Sequence, residues 1–306
     1  MAAILPVFSR AFAFVMIIAV GYVLKRRGFF HAKDFFLISK IVINITLPSA
    51  IISNFSKITM EKSLLMMCVI GLVSNILLVL LGFMINLGRS KEDKMFDMIN
   101  LSGYNIGNFT VPFVQSFLGP VGFAATSLFD AGNAVMCTGI TYSLASAVMG
   151  TGEKVSIKAV LRKLFSSVPF DSYVVMTTLT IMNVKLPSLL IDFTGTVGGA
   201  NAFLALLMLG IGFEVNLDKG KAARIMKLLV LRYGTAVLFS LAFYFLMPFE
   251  LEVRQALAIL SFGPVSSVSP AFTGNLGGDV ELASAVNSLS ILVSIISITI
   301  ALIIIL

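Results

Sequence analysis

Residues 103–113 read GYNIGNFTVPF. They sit inside a long apolar run that otherwise has the composition of a membrane helix. Proline removes a backbone donor and clashes with the carbonyl four residues back, and glycine weakens a helix interior. In lipid each freed backbone group costs several kcal/mol unless something satisfies it. Asn105, Asn108 and Thr110 add side-chain polar groups at the same place. Such a break persists where neighbours repair it or where it lines a wet cavity enclosed by protein.

The rest of the chain explains the setting. Of 306 residues, 58% are hydrophobic and 12% charged, with a mean hydropathy of +1.01. A soluble domain carries about twice that share of charge. A membrane helix needs about 20 apolar residues to cross a hydrocarbon core of roughly 30 Å. Ten segments qualify, over residues 4–24, 35–54, 63–87, 95–117, 121–148, 168–184, 196–215, 226–247, 254–273 and 281–306. A transmembrane β-barrel needs polar/apolar alternation, which these segments lack. The first segment has no basic start, and Lys25-Arg26-Arg27 follows it, so it reads as a spanning helix rather than a cleaved leader.

The net charge of +7 does not require nucleic acid as a partner, because its distribution follows the membrane. With the loop after segment one in the cytoplasm, 15 of the 22 Lys and Arg residues fall in loops on that side. The other side holds only Lys57, Lys62, Lys185 and Arg254, while Arg10, Lys40 and Arg232 lie within segments. This asymmetry is the positive-inside pattern. It places both termini outside, and a missed segment would scramble it. Cys68 and Cys137 lie in apolar runs and read as free, packed thiols.

The longest loop, 149–167, is basic and falls midway, with five segments on each side. It reads as a linker with an amphipathic helix on anionic lipid. An odd number of segments per half makes repeats opposite in orientation. LGPVGFA (118–124) enters segment five and GGDVELA (277–283) enters segment ten, with Gly, Val and Ala at matching positions. Before each lies a broken segment: the fourth with Gly107 and Pro112, the ninth with Gly263, Pro264 and Pro270. The expected fold is an all-α membrane protein of ten transmembrane helices in two inverted five-helix repeats, residues 1–148 and 168–306. Helices four and nine are broken and cross at the midplane.

That geometry suggests chemistry. A helix N-terminus offers unpaired N–H groups and about half a positive charge. Two such ends meeting from opposite sides suit an anion such as a carboxylate. Asn105, Asn108, Thr110 and Pro112, with Pro264, Ser266, Ser267, Ser269 and Pro270, form the expected substrate site, ligated by neutral groups that allow release. Asp130 is the one acidic residue deep in an uninterrupted segment, with Asn133 one turn on. An intramembrane carboxylate is a functional candidate by default. Asp130, Asn133 and Asn287 are the expected ion-coupling residues, Ser290 lying beside the last, with H+ or Na+ as the coupling ion. No cofactor and no metal is called for. Asp97, Glu214, Lys40 and Arg232 read as snorkelling residues near cytoplasmic ends. Asn44, Thr46 and Pro48 mark either a face of the substrate path or a simple kink.

YNIGNFTVPF resembles the core of the fourth helix in the auxin efflux carrier family. LFDAGNA, LALLMLGIGF and FTGNLGGDVELASAVNSLSILVS resemble that family's fifth, seventh and ninth-to-tenth helices, in order along the chain. Thr110 stands where the family usually has glycine, and Pro264 and Pro270 are spaced one residue wider than in plant members. The resemblance implies two inverted five-helix halves, a scaffold of helices 1, 2, 6 and 7, and a moving bundle of helices 3–5 and 8–10 working as an elevator. It implies an organic anion as substrate, Asn105 as a substrate contact, and Pro112 with Pro264 or Pro270 as crossover prolines. A bacterial inner-membrane protein, and a homodimer through the scaffold helices, complete that expectation. Bile-acid/sodium symporters share the fold, so sodium-coupled uptake of larger organic acids is the competing reading.

Other function classes fit less well. The apolar segments hold no histidine for zinc chemistry. Gly277-Gly278-Asp279 resembles an aspartyl protease motif, but residue 276 is leucine. No serine sits in a Gly-x-Ser-x-Gly elbow. An anion channel would favour a pore built by oligomer symmetry rather than a site between two repeats.

Overall fold

The computed structural model describes residues 4–31, 33–151, 156–213 and 219–306. Glu214, named above, lies outside the described residues. Among the described residues the regular structure is helical, and the one β-bridge joins two helix breaks. The helices are α1 (Ile4–Arg26), α2 (Asp34–Phe55), α3 (Lys62–Met84), α4 (Lys91–Leu101), α5 (106–117), α6 (120–149) and α7 (Ile157–Leu164). The second half holds α8 (Val168–Ile181), α9 (Ser188–Gly212), α10 (Ala222–Leu246), α11 (Leu251–Ser261), α12 (Ser269–Asn275) and α13 (Val280–Ile305).

Six helices are long and apolar enough to cross a membrane: α1 from Phe8, α2, α3, α9, α10 and α13. The other four apolar segments are interrupted or short. Segment four is α4 plus α5, segment nine is α11 plus α12, and segment six is the 14-residue α8. Segment five, expected to run uninterrupted, bends within α6, where Gly139 leaves helical geometry in a wide turn over Met136–Ile140.

The same wide turn appears in α2 over Val42–Thr46 and at the start of α5 over Ile106–Thr110. In both, proline follows two residues later, in Thr46-Leu47-Pro48 and Thr110-Val111-Pro112. Each proline leaves the carbonyl of residue 44 or 108 without its usual donor and pushes against it. The chain accommodates the ring by shifting bonds from i−4 to i−5, as Leu47 N–H to Val42 O and Val111 N–H to Ile106 O show. In α2 the kink thus has its own cause: the Asn44 amide turns back to Lys40 O at 2.8 Å, and the Thr46 hydroxyl donates to Asn201 Oδ1 at 3.0 Å.

Helix packing relies on small residues, which replace the absent hydrophobic drive between helices in lipid. Gly21 and Gly210 bring α1 and α9 together, because a Cβ on either would overlap the Leu207 or Ile18 carbonyl. Gly71 and Gly132 do the same for α3 and α6 against the Phe129 and Cys68 carbonyls. α2 packs on α8 and α9, and α1 on α9. α3 packs on α4 and α6, and α10 on α11, α13 and α4. The linker helix α7 turns Val160 and Leu164 inward against α6 and leaves Ile157 and Leu161 exposed beside Lys158, Arg162 and Lys163.

Candidate functional site

The breaks in segments four and nine meet. Tyr104 and Val265 pair as an antiparallel bridge, and the Asn105 N–H donates to Pro264 O at 2.9 Å. Two extended backbones therefore cross side by side where four helix ends converge: the C-termini of α4 and α11 and the N-termini of α5 and α12. Gly103 is required here twice over. It has φ +74°, and a Cβ would stand 2.7 Å from Ser266 Cβ.

Each bridge residue is clasped by the following long helix. The Asn133 amide of α6 donates to Tyr104 O at 2.8 Å and accepts from Tyr104 N–H at 3.0 Å. On the other strand, Asn287 of α13 donates to Val265 O at 2.9 Å and to Ser266 O at 3.0 Å, while Ser290 Oγ accepts from Val265 N–H at 3.1 Å. Asn75 of α3 adds a third hold, accepting from Gly103 N–H at 2.7 Å and donating to Asn133 Oδ1 at 3.2 Å. These amides supply what the broken helices lose. Asn133 and Asn287 thus bind backbone in matching ways on the two strands.

Arg232 lies beneath the crossing, 2% exposed. Its guanidinium donates to Leu101 O, to Gly103 O at 2.9 Å and to Gly263 O at 3.0 Å, and stacks on the Tyr104 ring at 4.3 Å. It therefore takes up the carbonyl ends of both α4 and α11 with one planar fork. No carboxylate pairs with it among the described residues. Snorkelling does not describe it. Nor does it describe Asp97, which is fully buried and bonded to Arg224 at 2.6 Å and to Asn86 at 2.7 Å. Lys40 alone of the described residues in that group is exposed.

The amide face of the crossing is less occupied. Asn105 is 9% exposed, stands at the N-cap of α5 and makes no side-chain cap bond. The first amides of α5 have no intrahelical acceptor. Asn108 Oδ1 is buried without a partner among the described residues. The Thr110 hydroxyl turns back to Asn105 O at 3.4 Å. Pro112 and Pro264 are buried at the crossing, and Ser266 is 5% exposed. Ser269 Oγ donates to Ile99 O at 3.3 Å, tying α12 to α4. Ser267 is exposed and Pro270 half-buried at the start of α12. With seven residues, α12 aligns few peptide dipoles, so the N-terminus of α5 is the stronger of the two.

Asp130 borders this face. Its Oδ1 accepts from Asn133 at 2.9 Å and its Oδ2 from the Tyr173 hydroxyl of α8 at 3.1 Å. Asp130 Oδ2 also lies 3.7 Å from where a Cβ on Gly107 would sit. Gln115 of α5 reaches α9, donating to Gly198 O at 2.9 Å and accepting from Asn201 at 3.3 Å. Sequence reading missed Arg232, Asn75 and Tyr173 as members of this site. The available signal was a lone Arg and a lone Asn within apolar helices.

No match among curated proteins reaches significance. The model of the family described as membrane transport protein matches residues 6–302. That span takes in both breaks, the crossing and every helix that clasps it, and the chain belongs to this membrane transport family, the one that includes the auxin efflux carriers.

Proposed function

We propose that the chain is a secondary active transporter of a small organic anion, a carboxylate in class, whose site is the crossing of segments four and nine. The observation that carries this reading is Arg232. A buried guanidinium held by the carbonyls of two broken helices, with no paired carboxylate among the described residues, places a cation beside the crossing in a low-dielectric place. The N-terminus of α5 adds to it, and Asn105, whose side chain makes no cap bond, stands at that N-terminus. An anion entering there is favoured by both. The neutral donors around it keep binding reversible.

In this reading the ten segments cross the membrane as two inverted five-helix repeats. The matched clasps of Asn133 on Tyr104 and Asn287 on Val265 are what such symmetry produces. The segments 1, 2, 6 and 7 pack as a scaffold, and segments 3–5 and 8–10 as a bundle that carries the crossing across the membrane. Asp130, with Asn133 beside it, is the coupling group for H+ or Na+, because it borders the anion face and bonds across to Tyr173 of the scaffold. The setting is a bacterial inner membrane with both termini outside, and the scaffold is the face for a homodimer.

Counterflow in proteoliposomes over a panel of labelled mono- and dicarboxylates, with pH and sodium varied independently, tests the reading. Accelerated exchange of at least one carboxylate supports it. Absence of uptake for every weak acid under every ion gradient refutes it.

A further inference from the structure

Loops on the face opposite the basic loops hold four Lys and Arg residues, and two of these meet at one cavity. Lys57, after α2, and Lys185, after α8, line a cavity of about 490 Å³ together with Ser56, Thr59, Thr180 and Asn183. Phe55 and Met176 also line it and are 0% and 3% exposed. Met176 stands one turn along α8 from Tyr173, whose hydroxyl holds Asp130 at 3.1 Å. The cavity wall and the residue that holds Asp130 are thus one turn apart on α8, roughly 5 Å along its axis. Among the described residues neither lysine has an ion-pair partner. Asp192 follows the lining residue Ile191, and Glu61 and Glu250 line an adjoining cavity of about 260 Å³ that shares Lys57 and Thr59. Topogenesis demands few cations on this face, so the charge rule does not bring these two together.

We propose that this cavity is an outer vestibule that binds carboxylates through Lys57 and Lys185 before or after they occupy the crossing, with Phe55 and Met176 as the apolar barrier between the two. The proposal rests on the carrier reading for its purpose, but the vestibule's binding is testable without transport. Like charges at the mouth of a low-dielectric cleft concentrate anions and repel cations.

The test uses Thr59→Cys in a Cys68→Ala/Cys137→Ala background, labelled from the medium at low ionic strength with an anionic and a cationic methanethiosulfonate. Two unit charges within about one Debye length change the labelling rates of the anionic and cationic reagents in opposite senses, and so raise the anionic-to-cationic ratio. Lys57→Gln/Lys185→Gln should lower that ratio at least about fourfold. Malonate, but not the neutral malonamide, should slow labelling by the anionic reagent, and the double substitution should abolish that protection. An unchanged ratio overturns the proposal, and so does a changed ratio without malonate protection. Counterflow in the same preparations separates the two readings: exchange with flat labelling sinks the vestibule alone, and malonate protection with no exchange of any carboxylate sinks the carrier alone.

Discussion

At the scale of single residues, Arg232 is the group on which the site's electrostatics turn. Its fork spans carbonyls from both broken helices, which a lysine ammonium cannot do from one position. Arg232→Gln removes the charge and leaves carbonyls unpaired; it should lower stability by about 2–4 kcal/mol and transport at least about tenfold. Arg232→Lys keeps the charge and should recover substrate affinity better than turnover, a split that counterflow kinetics and thermal unfolding read together. The charge was visible in sequence, but its depth was misjudged. Segment eight was expected to begin near residue 226, which put Arg232 close to an end. The helix begins at Ala222, so Arg232 lies ten residues in, roughly 15 Å along the axis, and is buried. Asp130 makes the second residue-scale prediction. Asp130→Asn keeps an acceptor for Tyr173 and Asn133 while removing the carboxylate, so it should flatten the pH or sodium dependence of uptake and change substrate KM by less than about threefold. A wild-type ion profile in that variant refutes the coupling role.

At the scale of elements, the fold depends on where helices stop. The cluster GYNIGNFTVPF announced a break in the fourth segment, and GPVSSVSP announced one in the ninth. Single-sequence reading located both, because Gly and Pro act locally on the backbone. It could not show that the breaks pair strand to strand, since that bridge joins residues 161 positions apart through main-chain atoms that carry no sequence signal. The wide turn before Pro112 was equally hidden. Pro112→Ala restores an N–H for the Asn108 carbonyl and removes the ring clash, which favours an ordinary α-turn. The first turn of α5 would then re-register and misplace Asn105 and Asn108. Loss of transport with normal membrane insertion is the expected outcome, and the measurement pairs uptake with protease-accessibility of the loops. A second element-scale prediction concerns the entry to α13. Lys221 bonds Asp279 at 2.7 Å, and that hydrogen bond raises the Lys221 pKa above its usual value. Partial burial works to raise Asp279, but Lys221 and the Leu282 N–H outweigh it and hold the carboxyl below its usual value. A depressed carboxyl stabilises above its unfolded pKa of about 3.9, and that contribution is lost as pH falls through the lower folded value. A raised amine stabilises below its unfolded pKa of about 10.4, and loses that as pH rises through the higher folded value. The stability gap between wild type and Asp279→Asn should therefore stay level from about pH 5 to 9 and close under acid, as thermal unfolding across pH would show.

At the scale of the whole molecule, charge bias in the loops was the most legible feature, because topology acts on every loop at once. The proposed division into scaffold and bundle has no signature in the apolar pattern, since apolar faces look alike whether they meet protein or lipid. Among the described residues the polar ties across that proposed division are Tyr173 to Asp130, Gln115 to Gly198 and Asn201, and Arg10 to Ser116 at 3.1 Å. In the proposed elevator, sparse ties across an apolar seam would suit two bodies that slide, and the dense net at the crossing a part that moves as one piece. The central claim is that the anion sits at the amide face of that crossing. Asn108→Cys, in a chain lacking Cys68 and Cys137, places a thiol there, and its rate of maleimide labelling can be followed as a transported carboxylate is titrated. The account predicts protection that is half-complete near the transport KM and disappears in Arg232→Gln. Labelling that is indifferent to saturating carboxylate would contradict it.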